Sequence, residues 1–396
     1  MIETELCIVG GGPAGMMAGL LFARAGVKTL VLEKHSDFLR DFRGDTVHPS
    51  TLNLFDELGL LDALLARPHD KVGDIGAVIA GHTYRIADFS HLPGRGKFIA
   101  MMPQWEFLDF VAQQASKYPA FTLRMETEGI AAIATGGRVA GVRTAAGEEI
   151  AARLVIAADG RGSKLRAGLP LEDLGAPIDV LWFSVPKPRT ADNETQGYIT
   201  GGEMIVAIDR GDYFQCARVI EKGSAERVLA RGIEAFRSEV ERVVAPLAGL
   251  MHALASLDDV KLLSVSLDRL SQWSRPGLVA IGDAAHAMSP VGGVGINLAV
   301  QDAVAAANIL AGPMARGADV EPLLAKVQAR REFAVKVIQA IQRTVHHTVI
   351  RAALAGTVQQ APLPVRVLGA TPLLQRIPAR VVGLGVRREH IRSPAA

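Results

Sequence analysis

The sequence predicts an α/β fold: a Rossmann-like nucleotide-binding domain, an inserted β-sheet domain and C-terminal helices. Three observations predict it. A glycine-rich turn joins a short apolar strand to a helix near the start of the chain. Alternating strands then replace that pattern over two separated stretches. Buried apolar runs return at Leu154–Ala158 and Leu278–Ile281, as if the first domain were resumed.

Leu6-Cys7-Ile8-Val9 reads as a buried parallel strand ending at Gly10, Gly11 and Gly12. Pro13 to Arg24 reads as a helix with proline in its first turn, where a missing N–H costs little. Thr29–Leu32 is a second buried strand with Glu33 at its end. Gln104–Ser116 has helical spacing, and Leu123–Asp159 gives strands around the hairpin-like Thr135-Gly136-Gly137-Arg138. Alternation in Trp182–Val185 and Tyr213–Cys216 marks the inserted sheet. Phe333, Val337, Ile341, Val345 and Val349 recur every four residues, the pattern of a long amphipathic helix. The division expected is a discontinuous nucleotide domain (1–71, 103–175 and 276–330), a sheet domain for substrate (72–102 and 176–275) and a helical segment (331–396).

Composition narrows the function. Among 396 residues, 43 basic and 41 acidic side chains nearly cancel, so charge gives no case for a nucleic-acid partner. Two cysteines, Cys7 and Cys216, leave no disulfide framework or cysteine zinc site, and no metal site is expected. The apolar stretch Leu6–Leu32 is interrupted by glycines and by Arg24 and Lys28, so a cytoplasmic protein without stable membrane insertion is expected. The tail from Ala361 to Ala396 carries six arginines against one acid, Glu389. It reads as a solvated or dimer-facing surface, with an anionic membrane or partner surface as the alternative. Monomer and homodimer both remain open.

Gly10-x-Gly12-x-x-Gly15 lies between strand and helix, where glycines permit a tight turn, approach of a pyrophosphate and close helix packing. The helix N-terminus offers N–H groups to the anion, with Pro13 and Ala14 in the same turn. Glu33, 18 residues beyond Gly15, can accept hydrogen bonds from ribose hydroxyls and would repel a 2′-phosphate, so the tightly held nucleotide is FAD or NAD.

Two further motifs choose between them: Asp159-Gly160-x-x-Ser163-x-x-Arg166 and Gly282-Asp283-Ala284-Ala285-His286, each after a strand. With Pro290-x-Gly292-Gly293-x-Gly295-x-Asn297, they resemble the group A flavoprotein monooxygenases of the para-hydroxybenzoate hydroxylase type, in order along residues 1 to about 345. The resemblance implies an FAD-binding domain of that type. It implies an enzyme that consumes transiently bound NADH or NADPH and O₂ to hydroxylate an aromatic small molecule, phenolic, quinolone or polyketide-like, through a flavin C4a-hydroperoxide.

It also implies roles. Asp283 would bond a ribityl hydroxyl, and Gly293, Gly295, Ile296 and Asn297 would present N–H groups to the pyrimidine edge of the flavin. Arg43 would lie near the diphosphate, Gln104 near the ribityl or phosphate groups, and Gly129 near the adenine, with Lys34 beside Glu33. Asp159, Gly160 and Arg166 would link the flavin domain to the nicotinamide docking region, or else Asp159 and Arg166 would pair to pin a loop. Pro290 would sit beside the flavin ring as a catalytic residue, while His286 is a scaffold residue in the family. Asp45 and His48 depart from the commoner family run and are candidates to orient or deprotonate a phenol, or else Asp45 is a loop or cap residue and His48 a packed neighbour of FAD. Trp182, Tyr198, Met204 and Phe214 are candidates to contact the aromatic ring. A halogenase or reductase on the same fold, or a non-enzymatic binder that kept it, are the alternatives.

Overall fold

A computed structural model describes residues 2–39, 45–187 and 195–396. The first strand, Ile2–Val9, pairs in parallel with Thr29–Leu32 on one side and with Glu149–Ala157 on the other. Phe121–Arg124 and Leu278–Ala280 extend this sheet in parallel, and the hairpin Gly129–Thr135/Arg138–Thr144 adds antiparallel strands to its eight. Both faces of the central strand are buried, because Leu6 and Ile8 pack under helices while Cys7 and Val9 pack into a second core with Trp273 and Leu298. Burial on both faces explains why the strand reads as a continuous apolar run. The helices Pro13–Arg24 and Gly295–Ala315 pack on each other above the sheet. The stretch Val291–Ala315 is long and apolar enough to cross a membrane, but 83% of its apolar window is buried inside the fold.

A second sheet of seven strands runs in the order Lys261–Ser264, Ile178–Pro186, Tyr213–Glu221, Glu203–Asp209, Gln196–Thr200, Asp74–Ile79 and His82–Asp88. All its neighbours are antiparallel except Gln196–Thr200 with Asp74–Ile79. Ile99–Met101 stands outside it, in a three-stranded sheet with Thr46–Val47 and Asp70–Val72. One face of the large sheet packs on the helix Ile233–Val243; the other turns toward the nucleotide domain.

The helix Leu324–Val345 runs on through a π-helical turn, His346–Ile350, into Arg351–Leu354. Its buried face is not the apolar repeat read from the sequence. Phe333 and Ile341 are exposed, and the buried positions include Arg331, Gln339 and Gln342. A strict four-residue repeat drifts about 40° per step on a 3.6-residue helix, so it cannot hold one face over five positions.

Candidate functional site

The glycine turn supplies the base of the site. Gly10 has a φ of +108°, and a side chain there would meet the Ala158 carbonyl oxygen at 2.3 Å. At Gly15 a Cβ would lie 1.9 Å from the Gly10 carbonyl oxygen, so helix and turn are in backbone contact. Nothing lies within 4 Å of the Cβ position of Gly12. Two of the three motif glycines are thus required by packing, and the third faces open space at a helix N-terminus that no side chain caps. That is an anion cradle.

The Glu33 carboxylate is anchored beside the turn by the Gly11 N–H at 2.9 Å and the His35 N–H at 3.0 Å. The Thr127 N–H donates to the Glu33 carbonyl at 2.8 Å, and Gly129 packs against Val9 closely enough that a Cβ would stand 2.7 Å from its Cγ1. Lys34, His35, Thr127 and Glu128 help to line an adjacent cleft of about 370 Å³.

The Gly282-Asp283 turn packs onto the glycine-turn helix, where a Cβ on Gly282 would meet that of Ala14 at 2.9 Å. The turn is held from below by Asp302. One oxygen of that fully buried carboxylate accepts from the Gly282 N–H at 3.1 Å and contacts His286 Nε2 at 2.6 Å; the other accepts from Arg331 Nε at 2.9 Å. Burial pushes the Asp302 carboxyl up, but His286 and Arg331 outweigh it and hold the group below its ordinary value. Arg331 is itself fully buried and lies 3.5 Å from Glu389. Asp283 pairs with Arg161 at 3.0 Å and is one-third exposed, accessible from the groove.

The expected Asp159–Arg166 pair does not form. Asp159 accepts from the Ser163 hydroxyl at 2.5 Å and the Lys164 N–H at 2.8 Å, closing its own loop after Gly160, and burial pushes its carboxyl up. Arg166 reaches instead to the Ala284 carbonyl at 3.3 Å.

A second uncapped helix N-terminus begins at Gly295, after a turn in which Gly292 and Gly293 have φ of +80° and +61°. Thr46 Oγ1 donates to the Gly293 carbonyl at 2.9 Å. Asn297 Oδ1 accepts from the His48 N–H at 3.3 Å and from Thr51 Oγ1 at 2.7 Å, which leaves its Nδ2 as a buried donor without a partner. Pro290 is flanked by a clasp from the Leu324–Val345 helix. Gln342 accepts from the Ser289 N–H at 3.2 Å and donates to the Ser289 and Val291 carbonyls, both at 2.9 Å. His346 Nε2 meets Ser289 Oγ at 2.8 Å.

His48 is fully buried, with Nδ1 on the Val382 carbonyl at 2.9 Å. Burial, opposed only in part by neighbouring carbonyls, lowers it to about 4. A ring enclosed in this way supports the packing alternative for His48 over the catalytic one. Asp45 is different. It pairs with Arg210 of the sheet domain and accepts from the Gln104 N–H at 3.3 Å, while burial pushes its carboxyl up against the pull of Arg210. Arg210 retains two buried guanidinium nitrogens without partners. Arg43 lies outside the described residues.

The ring candidates divide between the two faces of the large sheet. Trp182 and Met204 share a cluster with Val206, Val291 and Ile350, so they face the Pro290 loop. Tyr198 and Phe214 belong to the opposite core, under Phe236 and Val240, which removes them from the cavity. Strand alternation separates them, since Trp182 precedes Phe183 of the outer core and Met204 precedes Ile205 of the same core.

The profile of the FAD binding domain family matches residues 3–341. The chain belongs to that family. It is 32% identical over 337 residues to 6-methylpretetramide 4-monooxygenase of Streptomyces rimosus, covering 83% of this chain and 80% of that one. Among solved structures it resembles p-nitrophenol 4-monooxygenase PnpA of Pseudomonas putida DLL-E4, with TM-score 0.80 and 20% identity over 98% of this chain and 100% of that one. It also resembles P. aeruginosa PqsL in complex with 2-aminobenzoylacetate, with TM-score 0.76 and 23% identity over 90% of this chain and 98% of that one. These two likenesses show the fold. Together the family and its relatives make this an FAD-dependent monooxygenase of the para-hydroxybenzoate hydroxylase-like group. The open cradle at Gly12, the second uncapped helix and the orphaned Asn297 donor fit FAD.

Sequence reading missed Thr46, Thr51, Arg161, Arg210, Asp302, Arg331, Gln342 and His346. Arg331 and Gln342 carried one available signal, polar residues in phase with the buried positions of an amphipathic helix.

Proposed function

We propose that this monooxygenase hydroxylates a phenolic or polyketide-like aromatic ring held between the inner face of the large sheet and the Pro290 loop. The observation that carries the reading is the cluster of Trp182, Met204 and Val206 against Val291, an apolar wall beside the loop that faces the flavin. Gly10, Gly12, Pro13, Ala14 and Gly15 would hold the diphosphate, Glu33, Lys34 and Gly129 the adenosine, and Asp283, Gln104 and Gly160 the ribityl side. Gly293, Gly295, Ile296 and Asn297 would hold the pyrimidine edge. When bound, FAD supplies two-electron reduction by NADH or NADPH and activation of O₂, one oxygen atom entering the ring and the other leaving as water.

The chain's own part is positional. The apolar wall excludes water, the Gln342 clasp fixes the backbone on either side of Pro290, whose carbonyl accepts from the Gly293 N–H at 3.0 Å, and the two uncapped helix ends stabilise negative charge on the cofactor. Asp45, raised by burial and steadied by Arg210, would accept a phenolic proton. A cytoplasmic location fits a nicotinamide-consuming enzyme.

The test is a flavin spectrum of the purified protein, followed by NADH and NADPH oxidation against a panel of phenols, quinolones and polyketide-type aromatics under labelled O₂. Incorporation of one labelled oxygen is expected. Trp182→Ala should raise KM and divert reducing equivalents to hydrogen peroxide, whereas Phe214→Ala should destabilise the fold by about 3–5 kcal/mol with KM unchanged. Failure to bind FAD, or equal KM effects of the two substitutions, refutes the reading.

A further inference from the structure

Two short helices, Leu363–Ala370 and Pro372–Gly383, lie across the outermost strand of the large sheet, His82–Asp88. The second is fixed by one face: Gln375, Ala379 and Gly383 are buried, with Gly383 against Leu92 and Phe89. Gly369 holds the first against Tyr84. What the helices leave outward is unusual for a water-facing surface. Leu363 is 69% exposed, Val367 43%, Leu373 67% and Ile377 61%, four of the ten exposed large apolar side chains among the described residues. At about 100° per residue, Leu373 and Ile377 stand roughly 160° and 200° around the helix from buried Gln375. Arg376 and Arg380, both exposed, flank that stripe, and Arg366 flanks Leu363 and Val367.

The two helices carry charge of one sign. Between Glu332 and Glu389 the sequence contains no acidic residue and eight basic ones. We propose that this face docks on an anionic lipid bilayer, with the two helices lying in the plane of the interface. Helices of 8 and 12 residues are too short to span a hydrocarbon core. An apolar stripe bordered by arginines is the arrangement that buries leucine and isoleucine at the acyl boundary while guanidinium groups stay among phosphates. A second copy of the chain is the poorer occupant. A two-fold contact would set the arginines of one patch against those of the other, with no acid on either helix to separate them. The docking face is distinct from the flavin groove and does not depend on the reading of its substrate.

The experiment is co-sedimentation of the full-length holoprotein with vesicles of equal parts phosphatidylcholine and phosphatidylglycerol, and with phosphatidylcholine alone. Light scattering on the same samples without lipid completes it. Binding to the mixed vesicles, reversal by high salt and little binding to phosphatidylcholine are expected. Arg376→Gln should weaken partitioning about fivefold, the contribution of one basic residue near an anionic surface. Leu373→Glu with Ile377→Glu should abolish binding while flavin content and circular dichroism stay unchanged. Absence of binding to the mixed vesicles overturns the proposal, as does binding indifferent to the double substitution. A dimer in solution that the double substitution splits would assign the face to a second copy and overturn it equally.

Discussion

Replacing Asp302 with asparagine keeps the shape of the side chain and removes its charge from a place where no water can compensate. The wild-type carboxylate serves the Gly282 N–H, His286 Nε2 and Arg331 Nε at 3.1, 2.6 and 2.9 Å, and neither it nor the Arg331 side chain has exposed surface. Removing one partner of a buried ion pair costs about 3–5 kcal/mol, because the remaining charge stays desolvated. Glu389 at 3.5 Å from Arg331 offsets part of this, so the lower end, about 3 kcal/mol, is expected. Against a total stability of about 5–15 kcal/mol that is a large loss. Chemical denaturation of wild type and Asp302→Asn measures it. The pH dependence has a definite sign. The folded carboxyl lies below its ordinary value, so its stabilisation is complete above the unfolded value near pH 4 and disappears as pH falls below it. The gap between wild type and variant should therefore be full at neutral pH and close in acid. A neutral-pH loss under about 1 kcal/mol, or a gap that does not narrow on acidification, refutes the reasoning.

Two other predictions follow from the same geometry. The Cβ of Gly12→Ala meets no atom within 4 Å, so the apoprotein should unfold as wild type does while FAD affinity falls at least about tenfold; the Cβ of Gly15→Ala, 1.9 Å from the Gly10 carbonyl oxygen, should cost stability as well, and denaturation alongside flavin fluorescence separates the two. Burial pushes the Cys7 thiol up to about 12 and raises Cys216 too, so neither should react with iodoacetamide at pH 8 until denaturant is added. Rapid alkylation of the native protein, read by mass spectrometry, would contradict the buried placement of both.

The base of the site is legible in the sequence because backbone constraints are written in residue type. Only glycine fits where Gly10 and Gly15 stand, and both positions follow from the motif alone. The division of Trp182, Met204, Tyr198 and Phe214 between the two faces of the large sheet is not recoverable in that way. Both faces of these strands are buried, and a strand apolar on both sides carries no phase. The helix beyond Leu324 misleads for a related reason. Its inward positions mix Val327, Val335 and Ile338 with Arg331, Gln339 and Gln342, whose partners lie tens of residues away, and the four-residue repeat selects the exposed Phe333 and Ile341 instead. Asp302 sits unremarked within an apolar helix for the same reason: its worth depends on Arg331, 29 residues later. Long-range polar pairing leaves no local period for a sequence to display.

The clasp on either side of Pro290 bears on how enzymes of this group can be recombined. Gln342 holds the backbone of Ser289 and Val291, and Arg331 holds the aspartate beneath Gly282. A chimera joined between residues 302 and 331 would take the Ser289–Val291 loop from one parent and that loop's anchors from another. The side chains at the reacting face would all be present, yet their backbone would be set by a foreign helix. Crossovers placed before Gly282 or after His346 keep the loop with Asp302, Arg331 and Gln342, and domain exchange there should preserve more activity than exchange between 302 and 331.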